Sequence, residues 1–285
     1  MQTQYFVVDR TDPDLSLLAR AAVIITSGGL VAFPTETVYG LGANGLDERA
    51  VTGIYRAKGR PADNPLILHI ADQRELAKLT REVTANAQAL IDRFWPGPLT
   101  VILPKTRAVP AIVTGGLDTV AVRMPASVIA RGLITLAGVP IAAPSANTSG
   151  RPSPTSARDV MADLDGRIDA VLDGGPCPVG VESTVVDCTT PVPTLLRPGG
   201  ITLEMLTAVL GEVEVDAGLA KLGSAPRSPG MKYTHYAPRA PMILVEPGCS
   251  AGSGRLQREI EDRLQTGCRV GAVVSAETAS RLPAE

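Results

Sequence analysis

Lys58 and Arg60 stand two residues apart in KGRPADNPLILH, a segment shaped by Gly59, Pro61 and Pro65 that runs straight into the apolar stretch Leu66–Ile70. Proline fixes φ and glycine opens dihedrals closed to other residues, so the two cations sit on a turn of defined shape. Such a turn at a strand end suits an anionic ligand, phosphate above all, because ammonium and guanidinium groups both donate into negative oxygen. An isolated K-x-R pair is more often a solvated loop. The rest of the chain decides between the two.

Other residues able to do chemistry fall at comparable places. Pro34 ends a buried stretch, Leu30–Phe33, and opens a turn carrying Thr35, Glu36 and Thr37. Arg123 closes TVAVRMP and Arg197 sits in LLRPGG, each near an expected strand end. The apolar end Ile141–Ala143 leads into a polar loop holding Ser145, Asn147, Thr148, Ser149, Arg151 and Ser153. A polar loop after a strand is where α/β folds hold ligands; taken alone, a solvated Ser/Asn turn is an equal reading. Gly40, Gly42 and Gly45 spell G-x-G-x-x-G, but the next helix cap, Asp47, falls after the motif and no ribose-binding acid follows. The dinucleotide reading is therefore set aside. The four cysteines form no C-x-x-C pair and the chain has only two histidines, His69 and His235, which argues against a zinc cage or a disulfide framework.

The elements that must position these residues follow from patterning. With 285 residues, 45% of them hydrophobic, the chain can bury a large core in one α/β domain or two. Aromatics make up only 3%, so that core is built from Val, Ile, Leu and Ala. The net charge of −2 hides an asymmetry: residues 51–131 carry 11 Lys and Arg against 6 Asp and Glu, whereas 132–220 carry 4 against 11. An anion site should draw on the first block, while a general nucleic-acid binder would carry more positive charge overall. Helices are predicted from Asp12, its cap, with Pro13 first in the helix, to Thr26; over Glu48–Ala57 behind Asp47; over Asn86–Trp95; over Ser127–Ala137; and over Leu203–Leu210 behind Thr202. Asp72 and Glu75 read as a capping box. Strands are predicted at Tyr5–Val8, Leu30–Phe33, Leu99–Leu103, Thr119–Met124, Ile168–Leu172 and Ser183–Cys188. A strand–helix–strand unit is predicted over Met242–Val245, Leu256–Leu264 and Val270–Val274. No stretch reaches eighteen apolar residues and MQTQYFVVDR lacks a signal-peptide core, so a cytoplasmic protein with no membrane partner is expected.

Eight motifs occur in order: FPTETVYGLG, KGRPADNPLILH, WPGPLT, TVAVRMP, APSANTSGRPSPT, GVEST, LLRPG and SPGMKYTHYAP. Together they closely resemble the YrdC-like family, in its two-domain threonylcarbamoyl-AMP synthase form, over about Leu15 to Pro238. The resemblance implies a twisted α/β sheet with helices and a concave active-site face over residues 1–211. It also implies a linker over that face (212–239) and a small Rossmann-like C-terminal unit over 240–285, incomplete because only 46 residues follow Arg239. The implied activity joins ATP, L-threonine and bicarbonate or CO2 into L-threonylcarbamoyl-AMP and pyrophosphate. A downstream threonylcarbamoyl-transferase complex then modifies the adenosine beside the anticodon, so contact with tRNA is indirect or weak.

By the same resemblance Lys58, Arg60, Ser145 and Asn147 form the catalytic set at the nucleotide phosphates. Asn64, Thr119, Ser153, Arg197 and Tyr236 are further ATP contacts. Thr35, His69, Arg123 and Ser183 form the threonine set. Mg²⁺ is expected to arrive with ATP, riding on its phosphates, because no clustered carboxylates mark a cage. The linker core SPGMKYTHYAP, with Met231, Tyr233 and Tyr236, is expected to close over the ligands. Two other readings compete: a non-catalytic RNA-binding factor in tRNA or ribosome maturation, for which stacking aromatics are few, and a carbamoyl-transferring enzyme using another amine.

Overall fold

Short apolar strands alternate with capped helices along the chain, and the computed structural model describes residues 2–216, 240–245 and 252–280. After β1 (Gln4–Val7) comes α1 (Leu15–Thr26), which begins two residues later than predicted. Asp14, not Asp12, caps it, accepting the Ser16 N–H at 2.7 Å. Asp9 already gathers the N–H groups of Thr11 and Asp12, which holds Asp12 in the preceding turn.

β2 (Val31–Pro34) and β3 (Tyr39–Asn44) form an antiparallel hairpin. β3 was not predicted, because its Gly40 and Gly42 read as turn residues. They serve packing instead: a Cβ at Gly42 would stand 2.7 Å from both Ile141 Cγ2 and Phe33 Cε1. Next, α2 (Glu48–Lys58) starts at Asp47, which accepts the N–H groups of Arg49 and Ala50, and ends at Gly59 with φ +61°. That left-handed residue lets the Arg60 N–H return to Tyr55 O at 3.0 Å, a helix-ending geometry glycine favours.

There follow β4 (Ile67–His69), the capping box of Asp72 and Glu75, α3 (Leu76–Leu79), α4 (Ala85–Phe94) and β5 (Leu99–Pro104). The chain continues through α5 (Ala111–Thr114), β6 (Thr119–Arg123), α6 (Val128–Ala137, capped by Ser127), β7 (Ile141–Ala142) and α7 (Ala157–Leu164). It then forms β8 (Ala170–Asp173), β9 (Thr184–Asp187), β10 (Thr194–Arg197), α8 (Leu203–Leu210, capped by Thr202) and β11 (Glu214–Val215).

The described strands make one sheet in the order β1-β8-β2-β3-β7-β4-β6-β5-β9-β10-β11, mixing parallel and antiparallel pairs. Side chains alternate between its faces. In β2, Val31 and Phe33 pack with Leu18 and Ile25 of α1 and Leu133 of α6, while Ala32 belongs to the main core with Ile54 of α2 and Leu90 of α4. Along the half from β4 to β9, Leu68, Val101, Val122 and Val186 point into that main core. The opposite parity carries only a narrow apolar strip, with Ile67, Ile102, Ala121 and Val185. On that parity the strands continue into His69, Arg123, Thr100 and Ser183. This face holds the polar residues that a site can use.

The chain divides into two units between Tyr236 and Ala237. Within the second, α9 (Gly252–Gln265) forms and α10 (Ala276–Ala279) follows. The strands predicted at Met242–Val245 and Val270–Val274 do not: neither segment has a ladder partner among the described residues, and Met242 and Leu244 are each 80% exposed. A strand without a neighbour leaves its N–H and C=O groups to water, and hydrophobic alternation alone does not hold it.

Candidate active site

The β2–β3 turn supplies the first wall. Thr35 Oγ1 donates to Val38 O at 2.7 Å and accepts the Thr37 N–H at 3.1 Å, so its hydroxyl closes the turn. Thr37 Oγ1 lies 2.8 Å from Thr35 Oγ1 and accepts from Arg123 Nη1 at 2.9 Å. At the end of β6, Arg123 is buried and pairs with Glu36, its Nη2 2.5 Å from Oε1. Its Nε donates to Gly97 O at 3.2 Å.

The second wall is cationic. Lys58, the last residue of α2, is 1% exposed and donates from Nζ to Ser145 O at 2.5 Å and to Asn147 O. Burial, and then the neighbouring Arg60 charge, hold its pKa well below the ordinary lysine value. Arg60 donates to the carbonyls of Asn64 and Pro65 at 3.3 and 3.0 Å. The loop after β7 closes on this wall: Ser145 Oγ donates to Asn147 Oδ1 at 2.5 Å, and the Ser149 N–H donates to Lys58 O at 2.9 Å.

The floor is the polar parity of the sheet. His69 ends β4, and burial, then the Arg123 charge, push its pKa down to about 3, so the ring is neutral near pH 7. Its buried Nδ1 has no hydrogen-bond partner. Ser183 Oγ lies 2.8 Å from Thr100 Oγ1 and accepts from Arg197 Nη2 at 3.1 Å. Beside them Glu182 accepts from Ser153 Oγ.

Thr35, Lys58, Arg60, His69, Arg123, Ser145, Asn147, Ser183 and Arg197 thus line one open cleft. The other predicted residues fall elsewhere. Thr119 shares a face with Arg123 but starts β6, four residues away, about 13 Å along a strand. Asn64 is buried outside the lining, and neither atom of its amide has a partner. Ser153 meets the cleft through Glu182, and Tyr236, with residues 217–239 of the expected linker, lies outside the described residues. Thr37 and Ser149, which the sequence placed in the two polar loops without a role, also line the cleft, as does Glu182, which was given none and directly precedes Ser183.

The chemistry available is positioning rather than covalent attack. Burial pushes the Cys177 and Cys188 thiols up to about 12, so neither supplies a thiolate. Among the described residues there is no cluster of three or more His, Cys, Asp or Glu able to cage a metal. What the cleft offers is four basic side chains, Lys58, Arg60, Arg123 and Arg197, together with a neutral imidazole and hydroxyls. The fold and the site define a mixed α/β enzyme with a cation-lined cleft on the open face of its sheet.

Known proteins place that class. The family model described as "Telomere recombination", covering Sua5, YciO and YrdC proteins, matches residues 23–199, and that of the threonylcarbamoyl-AMP synthase C-terminal domain matches 201–284. Threonylcarbamoyl-AMP synthase of Bacillus subtilis is 52% identical over 98% of this chain and 81% of its own length, and that of Pyrococcus abyssi 54% over 90% and 75%. The crystal structure of P. abyssi Sua5 complexed with L-threonine superposes with a TM-score of 0.90 at 49% identity, covering 96% of this chain and 82% of that one. Escherichia coli YciO gives 0.65 at 26% identity, over 72% and 99%. The chain belongs to the threonylcarbamoyl-AMP synthase family, whose members are nucleotidyltransferase-type enzymes.

Proposed function

We propose that the cleft binds ATP and L-threonine side by side and forms L-threonylcarbamoyl-AMP from them with bicarbonate or CO2. The observation that carries this reading is the pairing of the buried, carbonyl-held Lys58 with Arg123 across one cleft. Lys58 and Arg60 hold the phosphates, with Ser145 and Asn147 shaping the loop against them. Arg123 takes the threonine carboxylate; Thr35, the neutral His69 and Ser183 surround the rest of that amino acid.

The threonine amine forms a C–N bond to the carbon of CO2 and releases a proton, or of bicarbonate with loss of water. A carbamate oxygen then attacks the α-phosphorus, and the bond to the β-phosphate oxygen breaks as pyrophosphate leaves. No protein nucleophile is consumed. The contribution of the side chains is to fix the reactants at close range and offset developing phosphate charge. Mg²⁺ bound to ATP would supply further neutralisation of the phosphates. Among the described lining residues Glu182 is the carboxylate that would help to hold such an ion, and one or two protein oxygens suffice for Mg²⁺.

The mixed anhydride is suited to transfer, and its consumer in this reading is a transferase complex acting on tRNA, in the cytoplasm. No described helix is long and apolar enough to cross a membrane. The test is pyrophosphate release from the pure protein. It is expected to require ATP, L-threonine and bicarbonate together, and equal release without threonine, or with any amino acid in its place, overturns the assignment.

A further inference from the structure

A triphosphate and an amino-acid carboxylate are both anions, and the cleft holds more than one cation that could attract either. Two of these, Lys58 and Arg123, differ in how their charge is met. Lys58 Nζ donates to two backbone carbonyls, which carry partial charge only. The acid that acts on it, Asp163, is engaged by Arg151 and by the Thr148 N–H at 3.0 Å. Arg123, by contrast, meets a full carboxylate. Glu36 Oε1 lies 2.5 Å from Nη2, with side chains 11% and 4% exposed, and Oε2 accepts the Ala126 N–H at 3.0 Å.

Glu36 is not part of the cleft lining. It lines a second cavity, behind the β2–β3 turn, with Arg10, Thr35 and the start of α6. Arg123 therefore stands between Glu36 and the cleft. Of the five N–H bonds of a guanidinium, Gly97 O, Thr37 Oγ1 and Glu36 occupy three. One N–H on each of Nη1 and Nη2 is left as a donor for a carboxylate, with the net charge of Arg123 already offset by Glu36. A polyanion gains most from uncompensated charge, whereas the single carboxylate of a zwitterion is recognised well by two aligned donors. Arg197 also lines the cleft and donates from Nη2 to Ser183 Oγ at 3.1 Å, a further cation beside the amino-acid end that a substitution at Glu36 leaves unchanged.

Resting on the function proposed above, we propose that Glu36 is a positioning residue that sorts the two anions. By offsetting Arg123 it keeps phosphate off the amino-acid end of the cleft, and the triphosphate settles at the Lys58 end.

Inorganic pyrophosphate is the probe. In the unmodified protein, the calorimetric Kd for L-threonine is expected to stay within twofold as pyrophosphate rises to saturation, while the Kd for ATP rises in proportion. In Glu36→Gln, pyrophosphate is expected to compete with L-threonine, raising its Kd at least tenfold at the same concentration. Glu36→Asp, which keeps the charge, should restore the original pattern. Thermal unfolding reports whether each variant is folded. Pyrophosphate competing equally with both ligands in the unmodified protein overturns the proposal without need of any variant. A folded Glu36→Gln protein with the unmodified pattern overturns it as well and assigns Glu36 a structural role only. If the unmodified protein binds no L-threonine at all, the functional reading itself fails, and the two failures are told apart.

Discussion

Lys58 is held in a state that costs the empty protein stability. Its pKa lies below the ordinary 10.5, so the unfolded chain binds the proton more tightly than the folded one. Stability from this group is present above pH 10.5 and is lost as pH falls through the lowered value. Lys58→Met is accordingly expected to be at least as stable as the unmodified protein at pH 7 without ligand, by thermal unfolding, yet inactive. Removing a close, desolvated charge partner of phosphate costs roughly 2–5 kcal/mol, well over tenfold in rate. Lys105→Ala, whose Nζ donates to Val109 O outside the cleft, should leave the rate within twofold. Equal losses in both variants would point to a diffuse effect of charge. For His69 the window is acidic: its stabilising contribution is complete above pH 6.5 and lost as pH falls through about 3. The stability difference between the unmodified protein and His69→Gln should shrink across that interval by up to ~1.4 kcal/mol per pH unit. A difference independent of pH would show that His69 is charged in the fold.

Two glycines separate the roles of the elements that carry the site. Gly59 ends α2 at φ +61°, and a Cβ there would meet nothing within 4 Å. Gly59→Ala should therefore cost only the backbone penalty, about 1–2 kcal/mol, while shifting the direction in which Lys58 and Arg60 leave the helix. A several-fold higher KM for ATP with a small loss in Tm is the expected result; unchanged KM would mean that the cap does not aim the cations. Gly42 is the reverse case. It lies inside β3, and a Cβ would stand 2.7 Å from Ile141 Cγ2 and from Phe33 Cε1. Gly42→Val should lower stability by about 1–3 kcal/mol or more through overpacking, read as a fall in the denaturation midpoint.

At the scale of the molecule, every described strand of the sheet and every described lining residue of the cleft belongs to residues 1–236. A chain ending at Arg239 is therefore expected to fold with the sheet intact, showing the circular dichroism of the first unit and a single cooperative transition. Loss of that transition would mean that the first unit depends on residues 240–285.

Features set by neighbours a few residues away were legible in the sequence. Asp47 opens α2 and Thr202 opens α8, because caps are contests among adjacent backbone groups, whereas Lys58, expected on the turn, is the last residue of α2. The cations Lys58, Arg60, Arg123 and Arg197 were visible for the same reason, each beside a strand or helix end. Features made by partners distant in sequence were not. Gly40 and Gly42 read as a loop until Phe33 and Ile141 are seen pressed against them. Glu36 read as one polar turn residue, although it closes on Arg123 across 87 positions of chain. Thr119 shares a face with Arg123, yet the length of β6 carries it away from the cleft. The strands predicted beyond residue 240 had the right alternation and no partner among the described residues. Local propensity selects caps, turns and the parity of each strand. Only tertiary pairing decides which strand ends converge, and with them which charges meet.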